Sequence, residues 1–418
     1  MGFLNKIKSM ISGTKIISLD SSLGNVLISG NSQYGKNRIF SNYLIDAHNN
    51  NNAIIVIRSS SNGFSVVPNI TTNSRVVYNI DTADNAFTEQ IDLFKYLNDV
   101  QISDAVFNVF NRYSEFDMQY KMRFKEYIGK MKYFLKMFGK RFKLNELYNY
   151  SIEDFEDMNY RSNLPDFEKR KNERFFDGIR SDIGILESYF YDFQQNNAGF
   201  ILSGDRSLEE ILNSGKIIEL NLDFSSRKEE SEMILGILLD YICKFNYSKL
   251  TNKNSLVVLV DEIPNDVLIN SKFEKIMTSS VQCRTVYTIS DIAHIAEKSN
   301  LLIDKADSIF FFQQNSNQNK EYCSEFFGTY EKQKVSTTKS YGTSRTRGSS
   351  SSYSSSYGSD YGSNSSGSNR SYGSNRSTSN TITTEKERVY LPEVFGTLPQ
   401  NQCIYFFRSS NSHSRLNL

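Results

Sequence analysis

The sequence predicts an α/β fold, in which a mostly parallel sheet is interrupted along the chain by an inserted all-α subdomain. Three observations predict it. Short, wholly apolar runs bounded by Gly, Asn and Ser recur at both ends of the chain, as strands buried on both faces do. Between them lies a block whose apolar residues return every three or four positions, the period of a helix. The 418 residues, 39% of them hydrophobic, suffice for two or three structural units with a sizeable core. With 48 Lys+Arg against 47 Asp+Glu, the net charge of +1 excludes a chain coated all over in nucleic-acid-binding charge and turns attention to local patches.

In chain order, the start MGFLNKIKSMISGTK has no apolar run of signal-peptide length, and no window reaches the roughly 18 apolar residues of a membrane span, so a cytoplasmic protein is expected. Phe3, Leu4, Ile7, Met10 and Ile11 share one helical face with Lys6 and Lys8 beside it. Such a helix either lies on a membrane surface or docks on the core. Strands are expected at Asn25 to Ser29, Ala53 to Ile57 and Arg75 to Ile80. More follow at Lys216 to Leu222, Leu256 to Val260, Arg284 to Ile289, Ser308 to Phe312 and Cys403 to Phe407. Cys243, Cys283, Cys323 and Cys403 are far apart with no C-x-x-C pair, which argues against a zinc site and a disulfide framework. Three histidines make histidine-rich metal chemistry or a Ser-His-Asp triad improbable.

The insertion, roughly Ile91 to Asn197, repeats Phe124, Ile128, Met131, Leu135 and Phe138 at helical spacing. Within it, Gln119 to Tyr150 carries nine basic residues, among them Lys121, Lys125, Lys132 and Lys136, against two acidic ones. Tyr120, Tyr127, Tyr133 and Phe142 lie between the charges, a combination that suits phosphate tracking and base stacking. A solvated face balanced by Glu153, Asp154, Glu156 and Asp157 explains the same residues. Further on, 17 of the 40 residues from Tyr341 to Asn380 are Ser, and Gly-Ser-Asn-Arg at 367 to 370 recurs at 373 to 376. Such a segment buries too little apolar surface to fold by itself and is expected to be a disordered excursion. Its arginines and spaced tyrosines suit weak contact with single-stranded nucleic acid, or it is a plain flexible loop.

The first strand runs into Gly30-Asn31-Ser32-Gln33-Tyr34-Gly35-Lys36-Asn37 and then a helical run, Arg38 to Ala47. This is the G-x-x-x-x-G-K spacing of a P-loop (Walker A) in its strand–loop–helix setting. The glycines let backbone N–H groups turn around a phosphate, the helix N-terminus adds positive potential, and Lys36 reaches the β and γ oxygens. Asn37 stands where a Ser or Thr would ligate Mg2+, so weakened magnesium binding is expected. The apolar run Leu256 to Val260 ends in Asp261-Glu262, the arrangement of a Walker B strand. There Asp261 would hold the metal and Glu262 would activate water as general base. A strand ending at an acidic helix cap is the bland alternative.

On these motifs the chain resembles the coupling-protein ATPases of conjugative type IV secretion, the TraG/TraD-like branch of the HerA/FtsK DNA-pumping motors. Matches in family order include the P-loop with Arg38 and Phe40, Tyr78-Asn79-Ile80, an all-α insertion, and Leu208 to Leu222. Val260-Asp261-Glu262-Ile263-Pro264, Ser324 to Lys339 with a Ser-rich loop behind it, Leu391-Pro392-Glu393 and Leu398-Pro399 complete them. Three departures stand out. Arg58 to Gly63 replaces an Asp-Pro-Lys-Gly-Glu-like turn, Ser290 or Asp291 occupies the place of a γ-phosphate-sensing glutamine, and Asn37 is altered. The family's N-terminal transmembrane helices are also missing, which leaves membrane contact to a partner or to the short N-terminal helix.

The resemblance implies a RecA-like P-loop NTPase core using ATP and Mg2+, a homo-hexameric ring, and Arg284 supplied to a neighbouring subunit's nucleotide, a surface or strand-edge arginine being the alternative for that residue. It implies single- or double-stranded DNA and a relaxase or other secretion-system proteins as partners, at the cytoplasmic face of the membrane. The expected organisation is residues 1–90 with Walker A, 91–197 all-α, 198–335 with Walker B, 336–384 the Ser/Tyr/Gly-rich loop, and 385–418 a C-terminal strand region. Two functions follow: a DNA-translocating motor hydrolysing ATP between subunits, with Lys121, Lys125, Lys132 and Lys136 meeting DNA, or a weakly hydrolysing adaptor that recruits cargo to another motor.

Overall fold

The computed structural model describes residues 24–31, 33–59, 77–84, 88–98, 100–102, 104, 118–143, 145–195, 197–245, 247–251, 253–270, 273–279, 282–351 and 366–418. The amphipathic N-terminal segment, Ser32 and Ser60 to Gly63 lie outside them. The described chain divides into two units, 1–322 with 392–418, and 323–391.

The first unit is built on a nine-stranded sheet. Its strands are β1 (Val26–Ser29), β2 (Ala53–Ser59), β3 (Val77–Asp81), β4 (Ile217–Leu222), β5 (Leu256–Asp261), β6 (Cys283–Ile289) and β7 (Ser308–Phe311). After β8 (Thr329–Ser351) and β9 (Ser366–Arg388), which belong to the second unit, come β10 (Gln402–Phe407) and β11 (Ser412–Asn417). The spatial order is β11-β10-β7-β1-β6-β5-β2-β4-β3. From β7 to β3 every pairing is parallel, and β10 and β11 add an antiparallel edge. Every residue of β1, β2 and β5 is buried, which is why these strands read as continuous apolar runs instead of alternating ones.

The helix Gln33–Asn49 lays Ile39, Phe40, Tyr43, Leu44 and Ala47 on one face of this sheet, against Val26, Ile28, Ile54, Val56, Val257 and Leu259. Those strand residues are two apart, as one face of a pleated strand requires. Strand β5 is separated from β1 by β6, so the chain leaves β1, crosses two strand positions and returns later to fill them. Parallel sheets wound this way collect functional groups at the carboxyl ends of their strands, near the point where strand order reverses.

Among the described residues of the insertion run the helices Met118–Met137, Ile152–Arg161 and Asp166–Gln195. Phe124, Tyr127, Ile128, Met131, Phe134 and Leu135 form the buried stripe of the first of these. Phe138 is an exception, being 39% exposed just beyond the helix end. Gly139, at φ 69°, stops the helix there. The N–H groups of Gly139 and Lys140 turn back to the carbonyls of Lys136 and Leu135, at 3.1 and 2.7 Å. Among the described residues no helix is long and apolar enough to cross a membrane. The four cysteines are unpaired, and burial pushes the thiols of Cys243 and Cys283 up to about 11 and 12.

In the second unit the structure departs from expectation. The described residues of the Ser/Tyr/Gly-rich segment are not an irregular excursion but a two-stranded antiparallel ladder, β8 against β9, in unbroken register from Thr329↔Arg388 to Ser351↔Ser366. The composition argument correctly foresees that the segment buries little, for these strands are exposed along nearly all their length. It fails to foresee that the backbone groups satisfy one another across the ladder, which needs no core. Ion pairs Lys332–Glu387 at 2.9 Å and Lys334–Glu385 at 2.5 Å close its base.

Candidate functional site

Four elements bring the two sequence motifs together at the carboxyl edge of the sheet. Strand β1 ends at Ser29, and Gly30 turns the chain at φ 131°, a conformation that a side chain rarely adopts. A Cβ on Gly30 would stand 2.8 Å from the Gln313 carbonyl oxygen. Gly35 is packed as closely, since a Cβ there would enter the Phe312 ring and lie 2.8 Å from the Gln400 carbonyl oxygen. Both glycines of the motif are therefore required by packing alone, whatever else they serve. The Asn31 N–H donates to the Gln313 carbonyl at 2.8 Å, tying the loop to the segment after β7.

The helix begins at Gln33, earlier than the sequence suggests, so Gly35, Lys36 and Asn37 belong to its first turns. Its opening N–H groups have no intrahelical carbonyl and carry the positive end of the helix dipole. Lys36 is 3% exposed, and its ammonium is paired with the Glu262 carboxylate, 226 residues away in sequence. Asn37 follows, half-buried in the same turn.

Strand β5 delivers Asp261 and Glu262. Glu262 lies at φ 47°, in the left-handed region where a non-glycine residue is strained by about 1–2 kcal/mol. That turn ends the strand at the residue whose carboxylate meets Lys36. Asp261 is buried and accepts a 2.8 Å hydrogen bond from the Thr288 hydroxyl, while the same Thr288 oxygen accepts from the Glu262 N–H at 2.8 Å. One hydroxyl on β6 thus orients both acidic residues. Burial pushes the Asp261 carboxyl above its ordinary range, against the opposing pull of the Thr288 hydrogen bond and of the cations Lys36 and Arg58. A buried carboxylate whose charge is so disfavoured gains from a nearby cation.

Sequence reading missed four residues here. Thr288 is the first. Arg58 is the Cα partner of Asp261 across β2 and β5, and its guanidinium is paired with Glu219 of β4 at 3.3 Å, both groups buried. The visible signal was a charge of each sign inside an otherwise apolar strand, since buried charges need partners. Gln314, 1% exposed after β7, has its Nε2 3.4 Å from Ser29 Oγ and a buried Oε1 without a hydrogen-bond partner among the described residues.

Other expected residues lie elsewhere. Arg284 is the second residue of β6, four positions before Thr288, or about 13 Å along a strand, at the opposite edge of the sheet from Lys36 and Glu262. Asp291 caps the helix Ile292–Lys298, accepting from the His294 N–H at 3.1 Å. Lys121, Lys125, Lys132 and Lys136 all fall on the helix Met118–Met137, far along the chain from this edge. Lys125 is 3.8 Å from Asp104, and neighbours on the same basic stretch are paired too: Arg123 with Asp182, Arg141 with Asp92, and Lys143 with Asp205.

No protein-family model matches the sequence, and no curated protein sequence matches it. Solved structures do. A bacterial conjugative coupling protein, TrwB lacking its first 70 residues and unbound, superposes with a TM-score of 0.57 at 12% identity, over 99% of this chain and 90% of that one. The chain has the coupling-protein fold. TrwB in complex with ADP and Mg2+ matches with the same TM-score and identity over 99% of this chain and 91% of that one. VirB4 of Thermoanaerobacter pseudethanolicus gives a TM-score of 0.50 at 8% identity, over 94% and 89%. In this shared fold the Lys36, Asp261, Glu262 and Thr288 constellation lies at the carboxyl ends of the parallel strands.

Proposed function

We propose that this protein is a P-loop ATPase of the coupling-protein kind, a motor that hydrolyses ATP between the subunits of a homo-hexameric ring and moves DNA for conjugative, type IV secretion-like transfer. The observation that carries the reading is the convergence of Lys36 and Glu262 on one point at the carboxyl edge of the sheet, with Asp261 held beside them by Thr288. The coupling-protein structures that share the fold include complexes with ADP and Mg2+ and with a non-hydrolysable ATP analogue.

In this reading Gly30 to Asn37 surround the phosphates, with the helix N-terminus and Lys36 holding the β and γ oxygens. Asp261, whose buried charge gains from a cation, and Asn37 would hold Mg2+. Bound magnesium supplies positive charge to the phosphate oxygens where negative charge builds in the transition state. Phosphate binding draws Lys36 away from Glu262, and the freed Glu262 carboxylate takes the proton of the attacking water. Arg284, near the amino end of β6, is assigned to a neighbouring subunit's nucleotide on the resemblance alone. A relaxase or other secretion-system protein, and the cytoplasmic face of the membrane reached through such a partner, complete the setting. The reading is tested by Mg2+-dependent ATP hydrolysis with and without single- and double-stranded DNA. Turnover that DNA stimulates supports the motor, and ATP binding without turnover in an assembled protein supports the adaptor instead.

Two further outcomes belong to this reading. Thr288→Val keeps the side chain's shape but leaves Asp261 and the Glu262 N–H without a shared partner. The Mg2+ requirement of turnover should rise about 10- to 100-fold, as it does when groups supporting a metal ligand are removed. A magnesium titration of the variant reads this directly, and an unchanged midpoint would take Thr288 out of the site. Neutralising Lys121, Lys125, Lys132 and Lys136 together should weaken DNA binding and flatten its salt dependence by about 0.7 to 0.9 for each phosphate that is no longer neutralised. An unchanged salt slope would return that helix to a solvated face whose charges are balanced by neighbours such as Asp104.

A further inference from the structure

The ladder β8–β9 sorts its residues by face in a way that the sequence alone hides. In an antiparallel pair, residues two apart on a strand and their cross-strand partners share one face. The register Tyr341↔Arg376, Thr343↔Ser374, Arg345↔Tyr372 and Arg347↔Arg370 therefore places all four arginines and both tyrosines of the ladder's distal part on one face, with Lys339 next in line. The opposite face of the same stretch, from Ser340↔Ser377 to Gly348↔Asn369, consists of Ser, Thr, Gly and Asn alone. Within residues 336–351 and 366–384 there are five basic residues and no acidic one.

The base of the ladder differs. There each lysine faces a glutamate, Lys332 with Glu387 and Lys334 with Glu385. Distally, no arginine has a carboxylate opposite it in the register. Arg345 stacks on Tyr372 with its Cζ 5.3 Å from the ring centroid, and Arg376 on Tyr341 at 5.1 Å. The rings remain 69% and 67% exposed, so these pairs hold the guanidiniums in place without neutralising them. Arg347 and Arg370 stand directly opposite each other, an arrangement that like-charge repulsion disfavours and that a bound anion relieves.

We infer that this face of the ladder binds single-stranded nucleic acid, with the arginines on successive phosphates and Tyr341 and Tyr372 as stacking platforms for bases. Same-face positions repeat about every 6.8 Å along a strand, and a two-stranded ribbon coils strongly. A flexible single strand follows such a coiled stripe and offers unpaired bases to the rings, whereas a duplex is stiff and keeps its bases stacked. The inference goes beyond the motor reading and does not depend on ATP turnover.

The test uses the full chain, a fluorescein-labelled oligo-dT, and anisotropy titrations between about 50 and 200 mM salt. Replacing Arg345, Arg347, Arg370 and Arg376 together by Ser, a residue the ladder already uses throughout, should weaken binding about tenfold or more and lower the salt slope by up to about 2.8, at about 0.7 per phosphate. Tyr341→Ser with Tyr372→Ser should weaken binding with the slope unchanged. Circular dichroism and ATP binding of each variant show that the chain is folded and separate a failure here from a failure of the nucleotide site. Unchanged affinity and slope in the arginine variant would overturn the inference. So would a duplex of the same sequence that binds as tightly, or polyglutamate that competes as well as the unlabelled oligonucleotide.

Discussion

Glu262→Gln is expected to keep ATP binding and lose turnover by about 10²- to 10⁴-fold, whereas Lys36→Ala is expected to lose ATP binding itself. The difference follows from what each group touches. Lys36 and Glu262 are paired, so phosphate must draw the ammonium away from a carboxylate before it can be bound. With Gln at 262 the partner is a neutral amide, a weaker competitor for the ammonium. ATP affinity in Glu262→Gln should therefore equal or exceed that of the parent chain, even as hydrolysis disappears. Lys36→Ala removes the cation that meets the phosphates and leaves the Glu262 carboxylate facing them, which repels the ligand further. Anisotropy of a fluorescent ATP analogue and phosphate release, read side by side, separate these effects. Unchanged ATP affinity in Lys36→Ala would remove the P-loop assignment, and full turnover in Glu262→Gln would place the general base elsewhere.

How far the sequence could be read depended on whether the informative contacts were local. The runs NVLIS, AIIVI and LVVLV announced β1, β2 and β5 because strands buried on both faces have no polar positions to confuse them. Gly35-Lys36 and Asp261-Glu262 were legible because each motif is contiguous. Their meeting was an inference from the motifs and needed the sheet order to appear as a contact. Thr288 was hidden because nothing near it in sequence marks a residue whose two partners lie 26 and 27 positions away. Strand β11 was missed because only Leu416 is buried in it, and its pairing with β10 is set by a turn at Asn411, φ 46°. The ladder β8–β9 was missed for a different reason. Composition reports the absence of a core, and it is silent about a register that joins residues up to 59 positions apart. Phe138 was misplaced although the signal was present, since the glycine directly after it is the usual residue just past a helix end.

Glu219→Ala is expected to destabilise the protein by about 3–5 kcal/mol, a large share of the roughly 5–15 kcal/mol that a folded domain commands. Glu219 and Arg58 are each more than 90% buried and lie on adjacent parallel strands, Glu219 mid-strand and Arg58 near the carboxyl end of β2. Removing the carboxylate leaves a guanidinium that cannot shed its proton, with a buried Nε that has no hydrogen-bond partner among the described residues. The residue opposite it on the other neighbouring strand is Asp261, whose carboxyl already feels the Arg58 charge. Two results distinguish a structural pair from one that also serves the site. If the pair matters only to folding, the double change Arg58→Met with Glu219→Leu restores stability in urea titrations, because an apolar replacement of a buried ion pair is neutral or stabilising by about 1–4 kcal/mol. If Arg58 also holds Asp261 in its charged form, the same double variant is as stable as the parent chain and yet needs more Mg2+ for turnover, because one of the cations that lower the Asp261 pKa has gone. A double variant as unstable as Glu219→Ala alone would mean that the strands require the charges themselves, and the pair would then be a determinant of how β2 and β4 register.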